Sequence, residues 1–421
     1  MTSPFNVSDS SRTLDAYFHF WDKECLAQIF SRNVIPSKGK SNTMYQITDS
    51  SLLKKWFHKD VSIGKIYNYE DMVSENELKV ISDTSTIKLG YKIGAKHSPL
   101  IEILRGILWR EKYWKNARLI QWLDNYHPDC IVYNFSNHLF TQQIALFIAN
   151  RYNIPIISII GDDYYFNDRF SLNPFYLYFR YRFKKLTERI LFRQGSSAVY
   201  CNHKIRDKYN AFFHMNGRTV YFNSALERRS FKPIDKKNPR IVYFGGIRLG
   251  RNKALAEIAN ALGNIDSSYR LEVYTSECDA SIYNVLKENP YVRYGGFIPY
   301  NLVRDKIKTS DIFIIAESFD EKDINFTRYS LSTKASDALA SGVSIFSYGP
   351  VESGVIEYMK STNASVVCTN QEKLSNDLLK LIEDVELQKR LYRQAVIITE
   401  KNHSVENTTK IFEQIVYDVT Q

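Results

Sequence analysis

Apolar and polar positions along the chain follow two alternating periods. Short apolar runs at Cys130–Phe135, Ile154–Ile160, Ala198–Asn202, Ile241–Phe244, Arg270–Thr275, Val292–Gly295, Asp311–Ala316, Val343–Ser347 and Val366–Cys368 read as buried strands. A parallel strand covered on both faces is apolar throughout rather than alternating. Between these runs lie amphipathic stretches of helical period: Leu139–Tyr152, Lys204–Phe213, Ala254–Leu262, Ala280–Glu288, Leu302–Lys308 and a segment ending at Gly342. Strand and helix therefore alternate, which is the pattern of a parallel sheet with helices on its faces. Helices over Glu372–Lys389 and Glu406–Val419 follow. Toward the amino terminus Met1–Arg12 is polar and turn-like, and Phe18, Trp21, Leu26, Ile29 and Phe30 form a helical stripe. No strand precedes that helix, so the first domain is expected to lack its opening strand, as though the chain began late. Val61–Asp71 holds a strand, and Leu100–Asn125 is helical up to Pro128.

The charged segment Glu227–Arg240 carries Pro233 and Pro239 and interrupts this alternation. It divides the chain into a first domain over residues 1–228, a linker at 229–239 and a second domain over 240–395. Residues 396–421 form a terminal helix expected to pack back on the first domain. A length of 421 residues, 44% hydrophobic and 24% charged, suits two globular cores. There is no apolar run long enough for a membrane span and no leader-like start, so the cytoplasm is the expected compartment. The five cysteines are isolated, which suggests neither a zinc site nor a disulfide framework. The net charge of +10 favours an anionic partner.

Two loops suit phosphate. Gly245, Gly246, Arg248 and Lys253 follow the strand Ile241–Phe244, where glycines let the backbone approach a ligand and two cations attend it. The dinucleotide turn and the P-loop are both absent from this stretch. Ser332, Thr333 and Lys334 open the helix that ends at Gly342, so N-cap hydroxyls, free amides and a cation share one place. An acidic loop with Glu317, Asp320, Glu321 and Asp323 lies between that helix and its preceding strand. In the first half, Asp162 and Asp163 stand at the carboxyl end of Ile154–Ile160, where α/β sheets bind substrates, although such a pair also caps turns. His138, at the end of the preceding strand-to-helix loop, is a further candidate. Residues 173–194 interleave aromatics with Arg and Lys, a composition that suits either an anionic membrane surface or a buried helix with a solvated basic face. No nucleic-acid motif accompanies the charge, and nucleic acid is not an expected partner.

Together, Phe244-Gly-Gly-Ile-Arg248 with Lys253, Gly295-Gly-Phe-Ile-Pro299, and Ser332-Thr-Lys-Ala-Ser-Asp337-Ala-Leu-Ala-Ser-Gly342 resemble the nucleotide-sugar domain of retaining GT-B glycosyltransferases of bacterial surface-polysaccharide type. The resemblance implies an α/β fold of two Rossmann-like, doubly wound domains facing each other across a cleft. It implies a hexosyltransferase-type enzyme that takes a UDP- or GDP-sugar as donor and a lipid-linked or oligosaccharide acceptor, at the inner face of the plasma membrane, with neither metal nor cofactor. Arg248 and Lys253 would hold the donor diphosphate, while Phe297, Ile298, Glu317 and Asp337 would contact sugar or nucleoside. Asp337 stands where the family's second glutamate is expected, and Tyr329 where its first is. Glu317 supplies the first acid if the acidic loop is an insertion. Gly161 or Asp162 matches the position of the family's polar residue near the anomeric carbon, and Asp162 would orient or deprotonate an acceptor hydroxyl. A nucleotide-sugar epimerase and a catalytically silent partner subunit are the alternatives on the same fold.

Overall fold

The computed structural model of the chain describes residues 4, 17–58, 60–73, 99–168 and 170–421. Of the opening polar segment Met1–Arg12, all but Pro4 lies outside the described residues.

Three sheets carry the described residues. The strands β1 (Ala27–Phe30), β2 (Thr43–Gln46) and β3 (Lys65–Asn68) form a three-stranded sheet, β1 parallel and β3 antiparallel to β2. The strands β4 (Ile131–Asn134), β5 (Ile156–Ile160), β6 (Ser197–Tyr200) and β7 (Arg218–Thr219) form a four-stranded parallel sheet in chain order. A cavity of about 270 Å³ lined by both β1 and β4 lies between these two sheets.

The third sheet is all parallel and six-stranded: β8 (Ile241–Phe244), β9 (Leu271–Tyr274), β10 (Val292–Gly296), β11 (Ile312–Ala316), β12 (Ser344–Tyr348) and β13 (Val366–Cys368), in the order β10-β9-β8-β11-β12-β13. Every residue of β8, β9 and β11 is buried, as their apolar runs require.

The helix expected from Phe18 to Phe30 does not form. Asp22 caps a single 3-10 turn at Lys23–Cys25, and Ala27–Phe30 then pairs in register with Thr43–Gln46. Gln28 and Phe30 are buried and alternate with less buried neighbours, the period of a strand. So short a strand sits inside spacings that equally suit a helix, and only the long-range ladder decides between them. Among the described residues Ala27–Phe30 is the first strand. Leu100–Asn125 is three helices, Pro99–Leu108, Glu111–Trp114 and Ala117–Tyr126, the last capped by the Asn116 side chain on Leu119 N at 3.0 Å. Glu372–Lys389 is likewise divided at Asp384, whose carboxylate caps a new helix, Val385–Ile398, on Leu387 N at 2.9 Å.

Residues 229–239 contain neither helix nor strand, and they are bound to the six-stranded sheet. Arg229 donates to the carbonyl of Ser310 at 2.6 Å, and the amide of Arg240 to Asp311 at 2.9 Å, at the amino ends of β8 and β11. Beyond Ile398 a π-helical turn, Thr399–His403, leads into the helix Val405–Thr420. That helix returns to the first half of the chain: Phe412 stacks on Tyr17 with ring centroids 5.2 Å apart, and Asp418 pairs with Arg218 at 2.7 Å. His403 anchors the crossing. Its Nδ1 donates to the Phe222 carbonyl at 2.6 Å, and its Nε2 accepts from the Tyr358 hydroxyl at 2.7 Å.

Burial lowers the His403 pKa to about 4, against a smaller upward pull from the Phe222 carbonyl. The folded state therefore holds a neutral imidazole that the unfolded chain protonates near pH 6.5. The stability it contributes is fully present above about pH 6.5 and is lost as pH falls toward about 4, on the order of 3 kcal/mol across that window. Urea midpoints measured from pH 7 down to pH 4.5 are expected to fall more steeply for the native chain than for His403→Gln; parallel curves would contradict this.

Candidate functional site

The six-stranded sheet has one switch point. From β8 the chain moves outward through β9 to β10, then returns to β11 beside β8 and moves outward the other way. The loops after β8 and β11 therefore diverge and open a crevice at the carboxyl ends of the strands, where α/β sheets bind ligands. Gly245 and Gly246 follow β8, and Glu317 follows β11.

Gly245 has φ of +120°, and a Cβ on it would lie 3.2 Å from Lys334 Cδ. The conformation requires glycine, and the approach leaves little room for a side chain. Lys334 comes from the helix Thr333–Ser341, whose N-cap Ser332 accepts from Lys334 N at 3.3 Å. Its ammonium donates to the Tyr243 hydroxyl at 2.8 Å, and that hydroxyl donates to the Gly246 carbonyl at 2.6 Å. Among the described residues the Lys334 ammonium pairs with no carboxylate. Glycine loop, helix start and lysine thus meet at one point, and the helix dipole adds its positive end.

The other two expected phosphate cations are already paired. Arg248, exposed, meets Glu277 at 2.6 Å, and this hydrogen bond with the Glu277 charge raises its pKa. Lys253 meets Asp320 at 3.2 Å. Arg251, which stands between them and was not among the expected site residues, donates to both oxygens of Glu317, each at 3.0 Å. Glu317 is 1% exposed. Burial pulls the Arg251 pKa down, but the charges of Glu317 and Asp323 outweigh it and leave the pKa raised. Gly250 precedes this arginine with φ of +66°, and a Cβ there would fall 2.3 Å from Ser318 Oγ. That glycine was the available signal for a special residue at 251. The acidic loop is partly helical, Glu321–Thr327, with Asp323 buried beneath it. Asp337 lies away from the crevice mouth: it is buried and accepts from the Ser224 hydroxyl at 2.7 Å. Phe297, 66% exposed, and Ile298, half-buried, stand beyond the edge strand β10, apart from the Lys334 cluster.

Across from this crevice are the carboxyl ends of β5 and β6. Asp162 accepts from the Ser330 hydroxyl at 2.5 Å and from Tyr164 at 3.2 Å, and Asn202 donates to the Tyr329 carbonyl at 2.5 Å. Burial, then the Asp162 charge, raises the Tyr164 pKa, which keeps that hydroxyl a donor. The loop before Ser332 is thereby fixed to the first half of the chain, two residues from the lysine cradle. Asp163 is used differently. It is buried, pairs with Lys208 at 2.9 Å, accepts from Tyr209 at 2.9 Å, and caps Phe166 N at 3.0 Å. His138 stands farther off, as the N-cap residue of Leu139–Tyr152, 3.4 Å from Glu102 and on the wall of the cavity between β1 and β4. Of the expected residues, Gly245, Gly246, Ser332, Thr333 and Lys334 form one cluster. Asp162 faces it, Arg248, Lys253 and Glu317 rim it, and Asp163, His138, Asp337 and Phe297 lie outside it.

No protein-family model and no curated protein matches this chain. Solved structures do. TarM matches with a TM-score of 0.52 at 12% identity, over 70% of this chain and 57% of TarM. A TarM variant from S. aureus, crystallised with fondaparinux, α-GlcNAc-glycerol and UDP, matches at 0.50 and 13% identity over 70% of this chain. HepE from Anabaena, crystallised with UDP-glucose, matches at 0.52 and 14% identity, over 72% of this chain and 81% of HepE. The fold is GT-B. The chain spans little more than half of the TarM length, and identities this low carry the fold alone.

The Arg251–Glu317 pair gives a stability test. Arg251→Met is expected to cost about 3–5 kcal/mol in urea unfolding, because it strands a buried carboxylate, and Glu317→Met in the same chain is expected to restore most of it. A single variant as stable as the native chain would show that Glu317 is not held in a buried ion pair. Lys253→Ala, which breaks a pair exposed on both sides, leaves the urea midpoint unchanged.

Proposed function

We propose that this chain is a retaining glycosyltransferase that moves a sugar from a UDP-sugar to an acceptor glycan on a lipid carrier, in the synthesis of a bacterial surface polysaccharide. The observation that carries the reading is Lys334: a cation without a carboxylate partner among the described residues, at a helix start, against a glycine loop, at the switch point of a parallel sheet. A diphosphate is the ligand such a place suits. Similarity to TarM and to HepE, each crystallised with UDP or UDP-glucose, supports a uridine nucleotide over other choices.

As the bond from the sugar to the β-phosphate breaks, negative charge grows on the departing diphosphate. Lys334 and the first-turn amides of Thr333–Ser341 stabilise that charge more than the ground state, which is how fixed donors lower a barrier. Arg248 and Lys253 exchange their carboxylate partners for phosphate when the donor arrives. Asp162, tied to Ser330, orients the acceptor hydroxyl and takes up its proton. The acceptor approaches from the side of β5, and the exposed aromatics and cations of residues 173–194 bring that side to an anionic membrane surface.

Release of UDP from a panel of UDP-sugars, with and without lipid-linked acceptors, tests this reading. At least one donor is expected to turn over, and Lys334→Ala is expected to lower kcat/KM by roughly a hundredfold or more, the effect of removing one fixed donor of developing charge. No binding and no turnover with any donor, or full activity in Lys334→Ala, would contradict it.

A further inference from the structure

The cavity between the two sheets of the first half has no part in the donor crevice. β1 and β4 are edge strands of their sheets, and the cavity of about 270 Å³ lies between them. Strands inside a parallel layer are covered throughout, as β5 and β11 are here. Ala27 and Ile29 of β1 and Ile131 and Val132 of β4 are covered only in part, and all four line the cavity. Trp21, Trp109, Trp122, Phe140, Ile144 and Ile148 close around them. Among the described residues no lysine, arginine, aspartate or glutamate lines the space, so a charged body would be buried there without a counter-charge. Four polar side chains, Ser31, Asn134, Ser136 and His138, gather where β1 and β4 end. The His138 Nδ1 lies 3.4 Å from Glu102, which leaves Nε2 as the acceptor for a ligand hydroxyl. This polar end is close to Asp162. Asn134 is in register with Ile159 of β5, and the ring of Phe135 lies 6.0 Å from that of Tyr164, whose hydroxyl donates to Asp162 at 3.2 Å. The polar end and Asp162 thus stand at the ends of adjacent strands, whose spacing of about 5 Å a single sugar ring spans.

We propose that the cavity seats the apolar end of the acceptor: an alkyl or isoprenoid chain joined to the sugar that receives the transfer, with that sugar at the polar end beside Asp162. The chain covers the apolar surface that β1 and β4 leave open, which is the driving force for its entry. His138 accepts from a hydroxyl of the sugar and positions it, and Glu102 holds the imidazole in the tautomer this needs. Recognition comes from a neutral chain inside the fold, and no basic surface takes part. The inference deepens the acceptor part of the proposed function and rests on it.

Three of the five tryptophans line the cavity, so tryptophan fluorescence of the full chain reads its occupancy. The probes are glucosides of increasing alkyl length, each kept below its micelle concentration. A saturable change is expected, with affinity rising about fourfold for each added CH₂ until the cavity is full. Val132→Phe and, separately, Ala27→Leu take up the space and are expected to weaken octyl glucoside by roughly tenfold or more, the effect of about two lost CH₂ groups. The thermal shift with UDP is expected to stay as it is in both variants, which also shows that they are folded. Affinity that does not rise with chain length overturns the inference in the native chain alone. Octyl glucoside binding that survives both substitutions overturns the assignment to this cavity. Octanol that binds as tightly as octyl glucoside overturns the acceptor role in favour of a site for apolar molecules at large. A native chain that shifts with UDP and ignores octyl glucoside overturns the cavity inference and leaves the donor reading standing. A native chain that binds octyl glucoside and gives no shift with UDP overturns the donor reading, and the acceptor role with it.

Discussion

The second half of this molecule depends on a carboxylate that has almost no access to water. Glu317 stands at the carboxyl end of β11, and a charge buried there is tolerable only with a counter-charge and filled hydrogen bonds. Arg251 supplies both from the first residue of its helix, Arg251–Ile265. The pair fixes where that helix begins relative to β11, and so fixes the whole turn from Gly245 to Gly250. That turn is one wall of the crevice. Its other wall, the start of Thr333–Ser341, is held by contacts from the opposite side, Ser330 to Asp162 and Tyr329 to Asn202. The place where Lys334 meets the glycine turn is thus framed by two polar clamps, one within the six-stranded sheet and one reaching to the first half of the chain.

This framing separates electrostatic duties within one crevice. Arg251 is committed to Glu317, so its charge is spent on structure and is not available to a ligand. Lys253 holds Asp320 on the surface, where such a pair is weak and exchanges easily for a stronger anion, and Arg248 is itself exposed although the Glu277 side chain it meets is largely buried. Among the described residues Lys334 holds the Tyr243 hydroxyl and no carboxylate. The cations therefore grade from locked to available, and the available one sits where the helix dipole and the glycine backbone converge.

Much of this was legible in the residues. Ile241–Phe244 and Val366–Cys368 read as strands at the boundaries the structure has, because a short apolar run between turn residues has few other uses. Ser332 read as a cap for the same reason: a hydroxyl just before a helical period is a local signal. What failed was whatever depends on a distant partner. Ala27–Phe30 is a strand only because Thr43–Gln46 lies beside it. Arg251 matters only because a glutamate 66 residues later is buried beside it. Asp163, adjacent to Asp162 and chemically identical, is drawn inward by Lys208 and Tyr209, 45 and 46 residues away. Linear spacing carries local chemistry well, but it does not say which of two neighbouring acids will find a buried partner.

A structure of the chain with UDP bound would test the central claim most directly. The diphosphate is expected within hydrogen-bond reach of Lys334 Nζ, with that ammonium drawn from the Tyr243 hydroxyl toward phosphate and the first-turn amides of Thr333–Ser341 facing the same oxygens. Nucleotide bound at any other place, such as the cavity between β1 and β4, or a diphosphate that leaves Lys334 on Tyr243, would contradict it.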